Sequence, residues 1–235
     1  MPSSRVISLR IAQLLLRSIG ACALLSACSQ QASPILESLR TIGALLSSSA
    51  PANDTQLNPE YEHLRVTLDG RSAFVTLGDI DKRPDGNINV YYGGGGLVIR
   101  VQNGRLAGVN GLTTEWRNVV MHNAPAWAAA ARAKHLEWRR ARDFMPGYQY
   151  GIEEQIILTP IAPPRKNPLL ETSGEGLYWF EEHIAASNAT RDSMKLPPAR
   201  YAVSLANNQE TVVYGEQCLA VNTCLTWQRW TPRKK

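Results

Sequence analysis

A succession of short runs with a two-residue hydrophobic period, each bounded by turn-forming residues, constrains this chain most. Residues 63–68, 72–77, 87–92 and 97–102 alternate in this way, as do 148–159, 176–181, 201–205, 211–217 and 223–230. Alternation of apolar and polar residues is the mark of a strand with one buried face. Asn103-Gly104 is the strongest turn signal. A type I′ turn needs positive φ at both central positions, which Asn and Gly tolerate, so a hairpin joins 97–102 to 105–109. Many short strands with turn residues between them predict a mainly β (α+β) fold, an antiparallel sheet that curls or closes into a barrel.

One stretch departs from this period. Asn123 can cap a helix and Met145-Pro146-Gly147 can end it, so 124–143 reads as a single inserted helix. Trp127, Ala131 and Trp138 fall on one face of that helix, because eleven residues are close to three turns. Arg132, Lys134, Arg139, Arg140 and Arg142 against Glu137 and Asp143 give the segment a charge of +3. The simplest role is a packed helix with a solvated basic side. The functional alternative is a contact for polymer or partner, such as anionic sugars or lipid headgroups, built on Trp127, Arg132, Trp138 and Arg139.

The amino-terminal region carries an address. Arg5, Arg10 and Arg17 precede a short apolar run at 18–25, and Leu25-Ser26-Ala27-Cys28 has the form of a lipobox. A basic start, a short apolar run and small residues before the cleavage point make a secretory signal. The run is shorter than the ~20 residues a membrane-spanning helix needs. The expected organisation is therefore a signal peptide at 1–27, a lipidated tether at 28–58 and a β-domain at 59–235. Acyl chains on Cys28 form the membrane anchor. Within the tether, Ser33-Pro34 opens a short helix with apolar residues at helical spacing from Ile35 to Leu46. Ser29 follows the cysteine, with no aspartate there, and this points to the outer membrane, with the domain facing the periplasm.

Charge and cysteines agree with export. The chain has 25 Lys and Arg against 20 Asp and Glu. Three of the arginines lie in the leader, so the remainder carries 22 basic groups and a net +2. That is not the balance of a nucleic-acid-binding protein. Cys218 and Cys224 are the pair left after Cys22 and Cys28 are assigned to leader and anchor. In an oxidising compartment they suit a disulfide better than half a metal site.

No motif announces catalysis or a cofactor. Gly93-Gly94-Gly95-Gly96 lacks the Gly-Lys-Ser/Thr of a phosphate loop and lies between strands, so it reads as a turn or bulge. His63, His122, His135 and His183 share no metal spacing. Glu153-Glu154 and Glu181-Glu182 are adjacent acids, and adjacent residues on a strand point to opposite faces. Neither pair can act as a glycosidase couple by itself. Six tryptophans, Trp116, Trp127, Trp138, Trp179, Trp227 and Trp230, suit both core packing and stacking on sugar rings.

Three stretches carry a resemblance. Tyr61-Glu62-His63-Leu64-Arg65-Val66 leads into Ala73-Phe74-Val75-Thr76-Leu77. Val90-Tyr91-Tyr92 runs through Asn103-Gly104-Arg105-Leu106 to Gly111-Leu112-Thr113-Thr114-Glu115-Trp116. Arg200-Tyr201-Ala202-Val203 precedes Val213-Tyr214-Gly215-Glu216-Gln217-Cys218 and Leu225-Thr226-Trp227. Across 57–119 and 148–230 the chain resembles the YjbF/GfcB family of exopolysaccharide and capsule lipoproteins. The resemblance implies an outer-membrane lipoprotein of mainly antiparallel β structure that is not an enzyme and needs no cofactor. It implies partners among the proteins of polysaccharide export, including a periplasmic protein and an outer-membrane β-barrel; the polysaccharide itself is a further candidate partner. A carrier of lipid or acyl groups in a half-barrel, with an apolar ligand-sized cavity, is the first rival reading. An envelope glycoside hydrolase is the second.

Overall fold

Strands leave a row of unpaired backbone groups at each sheet edge unless the sheet closes on itself. In the computed structural model of this protein it closes. The structure describes residues 57–165, 169, 176–188 and 196–230. Cys28, the leader, the expected tether helix and the basic tail at 233–235 lie outside the described residues.

Twelve strands form the barrel: β1 (His63–Leu68), β2 (Arg71–Asp81), β3 (Ile88–Tyr92), β4 (Val98–Gln102), β5 (Arg105–Asn110), β6 (Glu115–His122), β7 (Leu136–Met145), β8 (Gln149–Ile161), β9 (Leu177–Ser187), β10 (Ala199–Ser204), β11 (Thr211–Ala220) and β12 (Thr223–Trp230). Each pairs with its sequence neighbours, and β12 returns antiparallel to β1, Leu64 opposite Arg229 and Val66 opposite Trp227. The expected curled antiparallel sheet is therefore an up-and-down closed barrel. Asn103 and Gly104 both have positive φ, 50° and 81°, as their hairpin turn requires. Gly94–Gly96 forms one 3-10 turn between β3 and β4.

The expected inserted helix is corrected. Only Trp127–Ala130 is helical, a single turn we label α1. Residues 115–122 and 136–145 are strands β6 and β7, paired along their length. Along β7, Trp138, Arg140 and Arg142 are buried while Glu137 and Arg139 are exposed. The period is two, but arginines occupy the inward positions. Charged residues on the buried face hid the alternation, and pairing on both edges overrides the helical preference of this Ala- and Arg-rich stretch.

Inward side chains fill the barrel. Contacts between strands that are not neighbours establish which face is inward. The Trp116 indole N–H on β6 donates to the Leu219 carbonyl on β11 at 3.1 Å. Arg105 on β5 reaches Glu182 on β9, and Arg140 on β7 reaches Gln217 on β11. Val75, Ile99, Val109, Ile156, Leu158, Phe180 and Val203 are buried in the same cluster. Eight strands make a barrel just wide enough for side chains to fill. Twelve make a wider one, and here tryptophans, arginines and the α1 segment occupy the added space. The outer face of β7 and β8 carries Glu137, Arg139, Glu153 and Gln155 in exposed positions, the reverse of the apolar outer band of a membrane barrel. A second small cluster lies elsewhere, where Leu169 packs with Trp179, Ala202 and Tyr214.

Candidate functional site: the polar mouth of the barrel

Up-and-down connectivity sorts the loops into two ends. The approach to β1, the β2–β3 loop, the Asn103-Gly104 turn, the α1 segment and the β10–β11 loop share one mouth. The α1 segment plugs part of it. Trp127 enters the barrel, its ring centroid 4.9 Å from that of Tyr201, 5.2 Å from Phe180 and 3.8 Å from the Arg105 guanidinium. Its indole N–H donates to the Asn103 carbonyl at 2.9 Å. A single helical turn leaves its first N–H groups without partners, and Ala126 before it offers no side-chain cap. Glu210 supplies the cap from the β10–β11 loop, each carboxylate oxygen accepting one N–H, from Trp127 and Ala128, at 2.9 Å.

Beside this plug lies a half-open cavity of about 290 Å³. Asn87, Asn89 and Tyr91 line one side at alternate positions leading into and along β3. Glu62, Leu64, Trp227 and Arg229 come from the seam where β12 meets β1. Val101, Asn103, Gly104 and residues 210–212 complete the wall. Glu62 is held at both oxygens: the Tyr91 hydroxyl donates to one at 2.5 Å, and Arg229 contacts the other at 2.8 Å. Burial, then the adjoining Glu62 carboxylate, pushes the Tyr91 hydroxyl pKa up, so Tyr91 remains a donor at neutral pH. Trp227 lies against Gly215, where any Cβ would run into its ring. Glycine at 215 is thus a condition for the ring to sit where it walls the cavity.

Beneath the mouth runs a buried ionic layer. Glu154 accepts Arg140 Nε at 2.6 Å and Arg142 Nε at 2.9 Å. Trp116 lies 4.7 Å and 4.6 Å from these two guanidinium carbons. Arg105 Nε pairs with Glu182 at 2.7 Å, while Arg105 Nη2 and Glu182 Oε2 have no protein partner. Burial alone would raise the Glu154 pKa, but the charges and hydrogen bonds of Arg140 and Arg142 outweigh it and hold the carboxyl below its ordinary range. Burial, with Glu182 adding to it, lifts the Tyr201 hydroxyl well above its usual value.

The residues expected to touch polymer or partner are divided by this arrangement. Trp127 and Trp138 are 1% and 4% exposed, so their ring faces belong to the barrel interior and are not offered to a ligand. Arg132 follows α1, and Arg139 stands on the outer face of β7; both are exposed. The four do not form one surface. Glu153 and Glu154 point to opposite faces, as do Glu181 and Glu182, and the inward member of each pair is held by arginine. Cys218 and Cys224 face each other in the β11–β12 hairpin and are joined as a disulfide. His63 is buried, with its ring nitrogens at the Thr76 hydroxyl and the Asn58 carbonyl. Among the described residues there is no cluster of three metal-ligating side chains. The mouth cavity went unseen in the sequence because its walls come from separate segments without a motif. The one available signal was Asn87-x-Asn89-x-Tyr91, three polar groups on a single strand face.

No family model matches the sequence, and no curated protein matches it. A solved structure shares the fold: the hypothetical lipoprotein YmcC from Escherichia coli K12 superposes with a TM-score of 0.55. The two are 16% identical, over 77% of this chain and 92% of YmcC. At that identity the likeness is one of fold.

Proposed function

We propose that this chain is an envelope lipoprotein of the YjbF/GfcB type, anchored in the outer membrane through Cys28 and facing the periplasm. It serves the assembly or export of an exopolysaccharide or capsule as a non-catalytic module that binds polymer and export proteins. The lipobox, the sequence resemblance and a barrel fold shared with a lipoprotein support this reading. The observation that carries it is the engagement of the barrel's inward carboxylates. Glu154 and Glu182 are locked to arginines. Glu62 and Glu210 at the mouth are occupied at both oxygens by Tyr91 and Arg229 and by two backbone N–H groups. A general acid in glycoside hydrolysis needs a carboxyl whose pKa is raised to hold a proton near neutral pH; Glu154 is the opposite, held below its ordinary range by Arg140 and Arg142. The acyl-carrier reading needs an apolar cavity. Among the described residues the barrel interior is instead packed with side chains, and the cavity at its mouth sets amides, carboxylates and a guanidinium over Leu64, Val101 and Trp227.

Deletion of the gene tests the proposal. Cell-surface and released polysaccharide should fall or redistribute, while sugar-nucleotide pools stay at wild-type levels. Unchanged polysaccharide in amount and location would overturn it.

A further inference from the structure

We infer that the mouth cavity binds one uncharged pyranose unit of a polysaccharide, a neutral hexose or an N-acetylated hexosamine. A sugar ring presents hydroxyls that donate and accept at once, around a body of C–H groups. Its receptors need side chains that do both. Asn87, Asn89 and Asn103 supply amides carrying a donor and an acceptor each. Glu62 supplies acceptor oxygens whose position is fixed by Tyr91 and Arg229, so little ordering is left to the moment of binding. Leu64, Val101 and the Trp227 indole form the floor beneath these polar groups, each less than a tenth exposed, so the polar rim makes the direct contacts.

Size and charge narrow the ligand. About 290 Å³ lies near the lower edge of ligand sites, enough for one ring and its linkage. Glu62 and Glu210 against Arg229 leave the lining at −1, and Arg229 is already paired with Glu62. Uronates and phosphorylated sugars therefore meet repulsion, and uncharged rings do not. The chain also enters the barrel at this mouth, through residues 57–62, so the site would grip polymer at the tethered end. This deepens the export reading and rests on it only for the source of the sugar.

The experiment uses the full lipidated chain in a detergent without a sugar headgroup. Cellotetraose, mannotetraose, chitotetraose and a neutral oligosaccharide fraction from the producing cell's own polysaccharide are the probes, with tetragalacturonate as the acidic comparator. Tryptophan fluorescence and saturation-transfer NMR read binding. At least one neutral probe should bind, uncut, and more tightly than tetragalacturonate. Asn87→Trp, which fills the cavity from an exposed position, should weaken binding at least about tenfold. Gln155→Ala on the outer wall should leave it unchanged. If Asn87→Trp lowers the melting midpoint, Asn89→Ala and Thr211→Val take its place, with the same expectation. No binding by any neutral probe, binding that survives these variants, equal binding of tetragalacturonate, or cleavage of the probe would each overturn the inference. Loss of polysaccharide on gene deletion without sugar binding would sink the site and leave the export reading standing. Binding with no polysaccharide phenotype would do the reverse.

Discussion

Glu154→Gln should be among the most damaging single-atom changes this barrel can suffer. Glu154 is fully buried, and the side chains of its partners Arg140 and Arg142 are 6% and 1% exposed. The carboxylate is their shared counter-charge. Glutamine keeps the shape and one acceptor but removes that charge, leaving two buried guanidiniums facing each other. Removing one partner of a buried ion pair costs about 3–5 kcal/mol, against a total stability of ~5–15 kcal/mol for a domain. With a urea slope of roughly 2 kcal/mol/M, the midpoint should fall by about 2 M. The melting temperature should fall by roughly 10 °C at about 2–4 °C per kcal/mol. Trp116, packed against both guanidiniums, reports locally by fluorescence. Asp81→Asn, in the exposed pair with Arg83, is the control and should cost under about 1 kcal/mol. Replacing the triad together, with Glu154→Leu, Arg140→Met and Arg142→Leu, should restore much of the loss, because well-packed apolar groups replace a buried ionic cluster at little cost. A loss from Glu154→Gln no larger than from Asp81→Asn would refute the reasoning.

The same carboxylate sets a pH dependence. Its folded pKa lies below the ordinary value, which is about 4.3 for an unfolded glutamate. A depressed pKa gives stability that is complete above the unfolded value and lost as pH falls through the folded one. Wild-type stability should therefore decline below about pH 4, and Glu154→Gln should decline less steeply over that range.

Three further outcomes follow from single contacts. Gly215→Ala puts a methyl where the Trp227 ring lies; overpacking of this kind costs about 1–3 kcal/mol, and thermal melts with near-ultraviolet dichroism should show both the loss and a displaced indole. Glu210→Ala removes the cap of α1; hydrogen exchange should quicken across 123–135 first, with a global loss of about 1 kcal/mol as for other caps, and uniform quickening throughout would contradict the plug. Reduction of Cys218–Cys224, or their joint replacement by serine, opens a loop of sequence separation 6 and should cost about 2 kcal/mol in the chain-entropy picture, measured by urea titration of oxidised and reduced protein.

The strands were legible where inward residues are apolar. Leu64 and Val66 on β1 alternate with His63, Arg65 and Thr67, and the Asn103-Gly104 turn follows from its own backbone needs. The cysteine pair was legible because Cys218 and Cys224 remain once Cys22 and Cys28 are assigned to leader and anchor, and an exported chain favours their pairing. Strand β7 was not, because Arg140 and Arg142 sit where the pattern asks for Leu or Val, and only a barrel wide enough to hold ion pairs explains them. Trp127 and Trp138 looked like one helical face because eleven residues fit three turns. In the barrel one belongs to a plug and the other to a strand wall, and both end inside. The cavity was illegible for another reason. Glu62, Asn89, Glu210 and Arg229 are ordinary surface-type residues in the sequence, and only closure of β12 onto β1 brings them together.

The central claim is a tethered, non-catalytic role in polysaccharide export, and complementation of a deletion strain tests it most directly. Surface and released polysaccharide would be quantified in cells expressing wild type, Cys28→Ala, or variants neutralising one carboxylate at a time among Glu153, Glu181 and Glu182. The account predicts that the unanchored Cys28→Ala protein complements poorly, since tethering raises the effective concentration at membrane partners, while each carboxylate variant that folds retains substantial function. Loss of function by about a hundredfold or more from a single folded, anchored carboxylate variant, the signature of a missing general acid or base, would contradict it.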